Sequence, residues 1–136
     1  MTEKLTRGVH HVGLTVPDLD QARDFFCGLL GFDEVGGVAD YPSIFVSDGV
    51  TLLTLWRAAD PLAARAFDRR ANIGLHHLSL AVTDDAALEA VWDKVSVHPE
   101  VVVDVSPCPI RPGSTTRHFL VFIPGGIRLE FATPFA

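Results

Sequence analysis

The sequence has few cysteines, no excess of positive charge and no long apolar run. Its two cysteines, Cys27 and Cys108, lie far apart, which excludes a disulfide framework and a Cys-x-x-Cys metal site. Eleven Lys and Arg residues against seventeen Asp and Glu residues give a net charge of −6, which argues against nucleic acid and against an anionic membrane surface as partners. No apolar run approaches the roughly 18 residues that a membrane-spanning helix needs.

What is present indicates a small globular protein. The chain has 136 residues, of which 48% are hydrophobic, enough for one domain or for two small modules with a shared core. Residues 1–6 lack the apolar stretch of a secretory signal. We therefore expect a soluble, cytoplasmic, globular protein.

The chain contains an internal repeat. Residues 8–18 read GVHHVGLTVPD, and residues 74–84 read GLHHLSLAVTD. Six of the eleven aligned positions are identical, a His-His pair among them, and two more exchange Val for Leu. A repeat of this kind marks equivalent structural units. We therefore expect two modules of the same fold, over about residues 8–57 and 74–133, joined by residues 58–73.

Each copy of the repeat is followed by the same series of predicted elements. Apolar residues with helical spacing follow Asp18, which is a predicted N-cap, and follow Asp84 in the second half. Three strand-like runs come after each helix, with Asp48-Gly49 and Pro124-Gly125-Gly126 as turns. Residues 106–116 are rich in proline and are expected to form a loop. The predicted fold class is therefore α+β, built from two βαβββ modules.

The alternation of side chains along the strands selects three candidate metal ligands. On the first strand of each half, the apolar residues share one face, and His11 or His77 lies on the other. On the last strand, Glu130 lies opposite to the apolar residues. Two histidines and one carboxylate around a metal with open positions are a known coordination pattern. We therefore predict His11, His77 and Glu130 as metal ligands, whereas His10 and His76 have the opposite parity.

The chain resembles the vicinal oxygen chelate superfamily, which includes glyoxalase I, methylmalonyl-CoA epimerase, fosfomycin-resistance enzymes, extradiol dioxygenases and bleomycin-resistance proteins. The resemblance rests on HHVGLTVPDLDQARDFFCGLLGF, GLHHLSLAV and the closing PGGIRLEF, and extends from about Val9 to Phe131. It implies mixed sheets that curl into a cup around one central site, a homodimer, and a divalent metal on the same three residues that parity selects. For this ligand set Fe²⁺ or Mn²⁺ is favoured, and Zn²⁺ or Ni²⁺ would also bind.

A missing fourth ligand separates the chain from glyoxalase I and the epimerase. Those enzymes carry Glu or Gln on the last strand of the first half, where alignment of GVTLL with GIRLE gives Leu53, or Leu52 after a one-residue slip. Neither side chain binds metal or takes a proton. The leading hypothesis is therefore a metal-dependent enzyme with ring-cleaving dioxygenase-like chemistry on adjacent oxygens of a small substrate. The alternatives are a glyoxalase-like lyase or isomerase with another base, and a metal-free small-molecule-binding protein similar to the bleomycin-resistance members.

Further residues are candidates for contact with the substrate. His118, which the repeat alignment pairs with Tyr41, is either an acid–base catalyst or a strand-end residue at the rim. Arg128 either steers an anionic substrate or holds the carboxylate of Glu130. Three aromatic residues have the parity of the predicted cavity and are expected to line it: Tyr41, Phe45 and Phe122.

Overall fold

The computed structural model describes residues 2–135, which form two four-stranded mixed sheets and their helices. In chain order the elements are β1 (Val12–Val16), α1 (Leu19–Arg23, continued by a π-helical segment over Asp24–Leu29), β2 (Asp33–Gly36), β3 (Ser43–Ser47), β4 (Leu52–Arg57), β5 (Leu78–Ala81), α2 (Asp85–Val95), β6 (Val102–Pro109), β7 (Arg117–Phe122) and β8 (Arg128–Ala132). The chain divides into two compact units between Ala64 and Arg65. The predicted α+β class, with strand, helix and three strands in each half, is confirmed.

The two sheets have the same strand order. In the first, the order is β1-β4-β3-β2, and in the second it is β5-β8-β7-β6. The first and last strands of each half, β1 with β4 and β5 with β8, pair in parallel, and all other pairs are antiparallel. In residues 2–135, no helix is both long and apolar enough to cross a bilayer.

Both helices begin at the aspartate that the repeat predicts. The carboxylate of Asp18 accepts a hydrogen bond from the Gln21 amide at 3.0 Å, and that of Asp84 accepts one from the Ala87 amide at 2.8 Å. Such a cap stabilises a helix by about 1 kcal/mol. After the first helix the chain turns at Gly31, whose φ of +80° is in the region that favours glycine. The predicted single helix differs from the structure in its second part, which is π-helical.

One face of each sheet packs against the helix of its own half, and we call this the helix-side face. In the second half, Trp92 of α2 meets Phe119 of β7 edge-on at 5.1 Å, and Phe119 stacks on Phe131 of β8 at 4.9 Å. In the first half, Leu53 and Leu55 of β4 are fully buried on the corresponding face. The opposite face of each sheet, called the far face here, carries the polar residues.

The strand registers correct the predicted partner of Glu130. Residue Gly13 lies opposite Thr54, and Ser79, its equivalent in the repeat, lies opposite Glu130. The position equivalent to Glu130 is therefore Thr54, and the prediction of Leu53 or Leu52 is wrong. The reason is that the loop between the last two strands has four residues in the first half and five in the second, so an alignment through the turns slips by one residue.

The same registers correct two further predictions. His118 lies opposite Ala132, and Ser43 lies opposite Trp56 in the first half, so the equivalent of His118 is Ser43 rather than Tyr41. Residues 106–109 belong to β6 rather than to a loop. This strand tolerates its prolines because it is an edge strand whose pairing with β7 is interrupted by register shifts.

Candidate active site

Glu130 is the centre of a polar cluster on the far face of the second sheet. Its side chain is nearly buried, and its Oε2 lies 2.7 Å from Nδ1 of His118 on the neighbouring strand β7. Its other oxygen, Oε1, lies 3.7 Å from Nε2 of His77, which directly precedes β5. Ser79, opposite Glu130 in the parallel pair, adds a further hydrogen bond to the carboxylate. Two different strands therefore bring imidazoles to the two oxygens of one carboxylate.

The surroundings of Glu130 favour its charged form. Burial by itself raises the pKa of the carboxyl, but hydrogen bonds from His118 and Ser79, together with the nearby His77, outweigh it and lower the pKa below its ordinary value. A carboxylate in this state accepts hydrogen bonds and binds cations. It does not donate a proton.

The contact with Glu130 determines how His118 is protonated. Because the carboxylate can only accept, Nδ1 of His118 carries the hydrogen and donates it. In the neutral imidazole, Nε2 of His118 then carries the lone pair. His118 thus has the arrangement of a general base that a carboxylate orients. Sequence reasoning left open whether His118 is a catalyst or a rim residue, and the structure brings it into the cluster.

The two His-His pairs of the repeat have the same local structure. Nδ1 of His10 lies 2.9 Å from Nδ1 of His11, and Nδ1 of His76 lies 2.8 Å from Nδ1 of His77. The rings meet edge-on in both pairs. In each pair one Nδ1 donates and the other accepts, because two lone pairs would repel each other. The pair therefore restrains the ring of His11 and of His77 and leaves Nε2 of each outside this hydrogen bond.

The residues of the second half fit two ligands of a metal ion. The distance of 3.7 Å between Nε2 of His77 and Oε1 of Glu130 exceeds a hydrogen bond and is close to the roughly 3.4 Å between two ligands of a tetrahedral ion. An imidazole nitrogen with a carboxylate oxygen suits Fe²⁺, Mn²⁺, Zn²⁺ or Ni²⁺. Within residues 2–135, no group of three or more His, Cys, Asp or Glu side chains has the arrangement of a metal site. The predicted third ligand, His11, lies in the first unit.

The far face of the first sheet carries an aromatic cluster. The indole Nε1 of Trp56 donates to Oγ1 of Thr54 at 2.9 Å. The ring of Tyr41 meets Trp56 edge-on at 4.9 Å, and that of Phe45 lies 5.8 Å away. A Cβ at Gly13 would come within 3.2 Å of Oγ1 of Thr54, so glycine makes room for this arrangement. Phe45 lies on the far face, as alternation along β3 predicts. Tyr41 precedes β3, so its place in this cluster does not follow from parity, and Trp56 is the member that sequence reasoning missed.

Arg128 is engaged by an aspartate. Its Nε and Nη2 lie 2.9 and 2.8 Å from Oδ2 of Asp104 on β6, and its Nη1 lies 3.4 Å from Nδ1 of His76. Arg69 also approaches Asp104, at 4.0 Å, and its guanidinium lies 6.0 Å from the ring centroid of Phe122. Loss of hydration and the charge of Arg128 lower the pKa of His76. The sequence predicted that Arg128 either steers an anionic substrate or holds the carboxylate of Glu130. Neither role includes this contact with His76, which strand parity had excluded from the predicted metal ligands.

The structure brings several of the predicted site residues of the second half close together, and their roles stay predictions. His77, Glu130 and His118 come together, and Arg128 lies nearby. Ser79 and Asp104 were missed. Ser79 was recognisable as the far-face residue beside Glu130. Asp104 was not, because the register shifts in β6 remove the simple alternation of its side chains.

Comparisons with known proteins agree with the fold. A sequence model of the Glyoxalase/Bleomycin resistance protein/Dioxygenase superfamily matches residues 8–131. The chain is similar to a 2-epi-5-epi-valiolone epimerase of Actinomyces sp, with 32% identity over an alignment of 146 positions, gaps included, that covers 90% of this chain and 76% of that relative. Two similar solved structures are a glyoxylase/bleomycin resistance protein/dioxygenase domain from Frankia sp. EAN1pec (TM-score 0.77, 22% identity, 94% of this chain and 98% of that one) and lactoylglutathione lyase from Agrobacterium tumefaciens (TM-score 0.69, 20% identity, 96% of each chain).

Proposed function

We propose that this chain, which belongs to the Glyoxalase/Bleomycin resistance protein/Dioxygenase superfamily, is a metal-dependent epimerase or isomerase that moves a proton next to a carbonyl group. The observation that carries the proposal is the hydrogen bond of 2.7 Å between His118 and the buried Glu130. This hydrogen bond orients His118 as the general base that such chemistry requires. Thr54, at the fourth-ligand position by strand register, does not supply a base.

The protein's part in the reaction is proton transfer by His118. Glu130 orients the imidazole and stabilises the positive charge that forms on it when Nε2 takes a proton from the carbon beside the carbonyl. A proton from water then adds to the opposite face of the same carbon, which inverts the stereocentre, and the proton held on Nε2 of His118 returns to solvent. Without Glu130 the ring is free to rotate and to change tautomer, so that His118 loses both orientation and charge stabilisation.

We assign the metal to His11, His77 and Glu130. The donor types and the distance from His77 to Glu130 fit such an ion. When bound, a divalent ion supplies Lewis-acid stabilisation of the negative charge that develops on the carbonyl oxygen. Thr54, at the position equivalent to Glu130, has a hydroxyl that accepts from Trp56, so the first half adds no second carboxylate.

The similarity to an epimerase supports this proposal over ring-cleaving dioxygenase chemistry, which stays a prediction of the sequence. A metal-free small-molecule-binding protein is the other alternative. It gives no catalytic use to an imidazole that a buried carboxylate orients as a general base, as Glu130 orients His118. The homodimer implied by the resemblance is part of the proposal and predicts a sedimentation mass of twice the chain mass.

The experiment is solvent-hydrogen exchange with 2-epi-5-epi-valiolone as the probe. Protein loaded with Mn²⁺ or Zn²⁺ is incubated with this ketone in D₂O, and deuterium incorporation is followed by mass spectrometry. We expect incorporation by wild type, and a loss of about 10²- to 10⁴-fold in His118→Gln. His98→Gln serves as the matched control, because His98 follows α2 and contacts the Glu100 amide instead.

The outcomes separate the candidate functions. Deuterium incorporation that His118→Gln retains would refute the assigned base. A protein that binds no divalent ion but binds the ketone would be a binding protein. Oxygen consumption with a catechol in the iron-loaded protein, without deuterium incorporation into the ketone, would support the dioxygenase in place of the epimerase.

A further inference from the structure

The side chains of Arg128 and Asp104 form a fixed hydrogen-bond donor beside the second His-His pair. Two nitrogens of the guanidinium contact one oxygen of Asp104, at 2.8 and 2.9 Å, and the side chain of Arg128 is only 12% exposed. Its remaining terminal nitrogen, Nη1, lies 3.4 Å from Nδ1 of His76. The charge of the arginine is therefore matched by Asp104, and one N–H group remains directed at His76.

This donor determines where the hydrogens of the His-His pair lie. A guanidinium only donates, so Nδ1 of His76 accepts and His76 carries its hydrogen on Nε2. Nδ1 of His77, 2.8 Å from the same atom, must then be the second donor. With its hydrogen on Nδ1, the neutral ring of His77 has its lone pair on Nε2. That is the atom 3.7 Å from Oε1 of Glu130, and it is the atom that a metal would bind.

The first half of the chain provides an internal comparison. The pair of His10 and His11 has the same geometry, with 2.9 Å between the Nδ1 atoms. The registers make Leu52 the equivalent of Arg128, because Leu52 pairs with Ser47 as Arg128 pairs with Phe122 at the same end of each hairpin. Leucine has no hydrogen to donate. Only the second pair therefore receives a hydrogen bond from this strand position.

We propose that Arg128, held by Asp104, is a positioning residue that fixes the tautomer of the pair of His76 and His77, so that Nε2 of His77 is free to bind the metal. This inference rests on the metal site of the proposed function. It gives His76 a role, namely to accept the hydrogen bond from Nδ1 of His77 and so to keep the hydrogen of the neutral His77 ring on that nitrogen. It also removes Arg128 from the candidates for direct contact with an anionic substrate.

The test reads the tautomer in the metal-free protein. Long-range ¹H–¹⁵N correlation spectra of the ¹⁵N-labelled protein, at a pH of about 8 where an ordinary histidine is neutral, distinguish a protonated from an unprotonated Nε2. We expect His77 of wild type to be unprotonated at Nε2. In Arg128→Leu, which copies Leu52, both tautomers should be present, and Arg128→Lys, which keeps a donor, should restore the first.

A second readout is Zn²⁺ affinity by titration calorimetry. Loss of a group that orients a metal-binding histidine weakens binding by about 10- to 100-fold, so we expect at least tenfold weaker binding in Arg128→Leu. Arg23→Leu is the matched control, because Arg23 pairs with Asp20 on α1 in the first unit. It should leave the tautomer and the affinity unchanged.

Wild-type protein that binds Zn²⁺ but is protonated at Nε2 of His77 when metal-free would overturn this inference and leave the proposed metal site standing. Unchanged tautomer and affinity in Arg128→Leu would overturn it as well. Protein with the expected tautomer that binds no Zn²⁺ would overturn the metal site itself, and with it the purpose assigned to Arg128. The wild-type spectrum decides the first point even if a variant fails to fold.

Discussion

The hydrogen bond between His118 and Glu130 should be a large local contribution to the stability of the metal-free protein. The donor and acceptor are 2.7 Å apart, and the two side chains are only 12% and 10% exposed. A hydrogen bond to a charged group contributes about 1.5–3 kcal/mol, and removal of one partner leaves the other buried without it. His118→Ala and Glu130→Ala should each cost about 2–4 kcal/mol, and the double variant should cost less than the sum by about 1–3 kcal/mol.

The measurement is a double-mutant cycle by urea denaturation in the presence of EDTA. Tryptophan fluorescence reports the second half through Trp92, which packs on Phe119 in the same sheet. The exposed pair of Arg23 and Asp20 on α1 is the control, with an expected coupling of about 0.3–0.5 kcal/mol. A coupling between His118 and Glu130 no larger than that of the control would refute the reasoning, because a buried charge-assisted hydrogen bond cannot be as weak as a solvated ion pair.

Three further predictions concern the acid range, the far face of the first sheet and the core. The pKa of Glu130 in the folded protein is lowered from its ordinary value of 4.5. The contribution of Glu130 to stability is therefore present above pH 4.5 and is lost as the pH falls through the folded pKa. The difference in melting temperature between metal-free wild type and Glu130→Gln should shrink on acidification. Gly13→Thr should displace the Trp56 indole, which a Cβ would approach to 3.4 Å, and should shift tryptophan emission, whereas Gly28→Thr, with open space around it, should not. Phe119→Ala should cost about 3–5 kcal/mol in urea denaturation, because the ring is fully buried against two aromatic neighbours.

The sequence predicted which face of the sheet a side chain lies on better than it predicted which residues are paired between strands. Alternation along a strand has a period of two, so the placement of Glu130 on the far face follows from its own strand alone. The partner of Glu130 depends on loop length as well, and the extra residue in the second hairpin moved the alignment from Thr54 to Leu53. Local alternation is therefore reliable within a strand, whereas correspondence between the halves requires the strand pairing itself.

Contacts between different elements were beyond the sequence for a similar reason. The approach of Arg128 to Asp104 joins β8 to β6 across an intervening strand, and β6 changes register twice along its length. The contact of His76 with His77 joins adjacent residues whose parity is opposite, which is possible because both precede the first residue of β5 and are not bound by strand geometry. Parity arguments apply only where the backbone is a strand.

The corrected alignment shows where the two halves have diverged. At three equivalent far-face positions, the second half carries His118, Arg128 and Glu130, and the first half carries Ser43, Leu52 and Thr54. The polar network of the second half consists of two hydrogen-bonded groups: Arg128 contacts Asp104 and His76, and Glu130 contacts His118. Between the two groups, Nε2 of His77 lies 3.7 Å from Oε1 of Glu130. The first half keeps the His-His pair without that network and carries the aromatic cluster in its place. On the proposed function, the proton-transfer machinery therefore belongs to the second half of the chain.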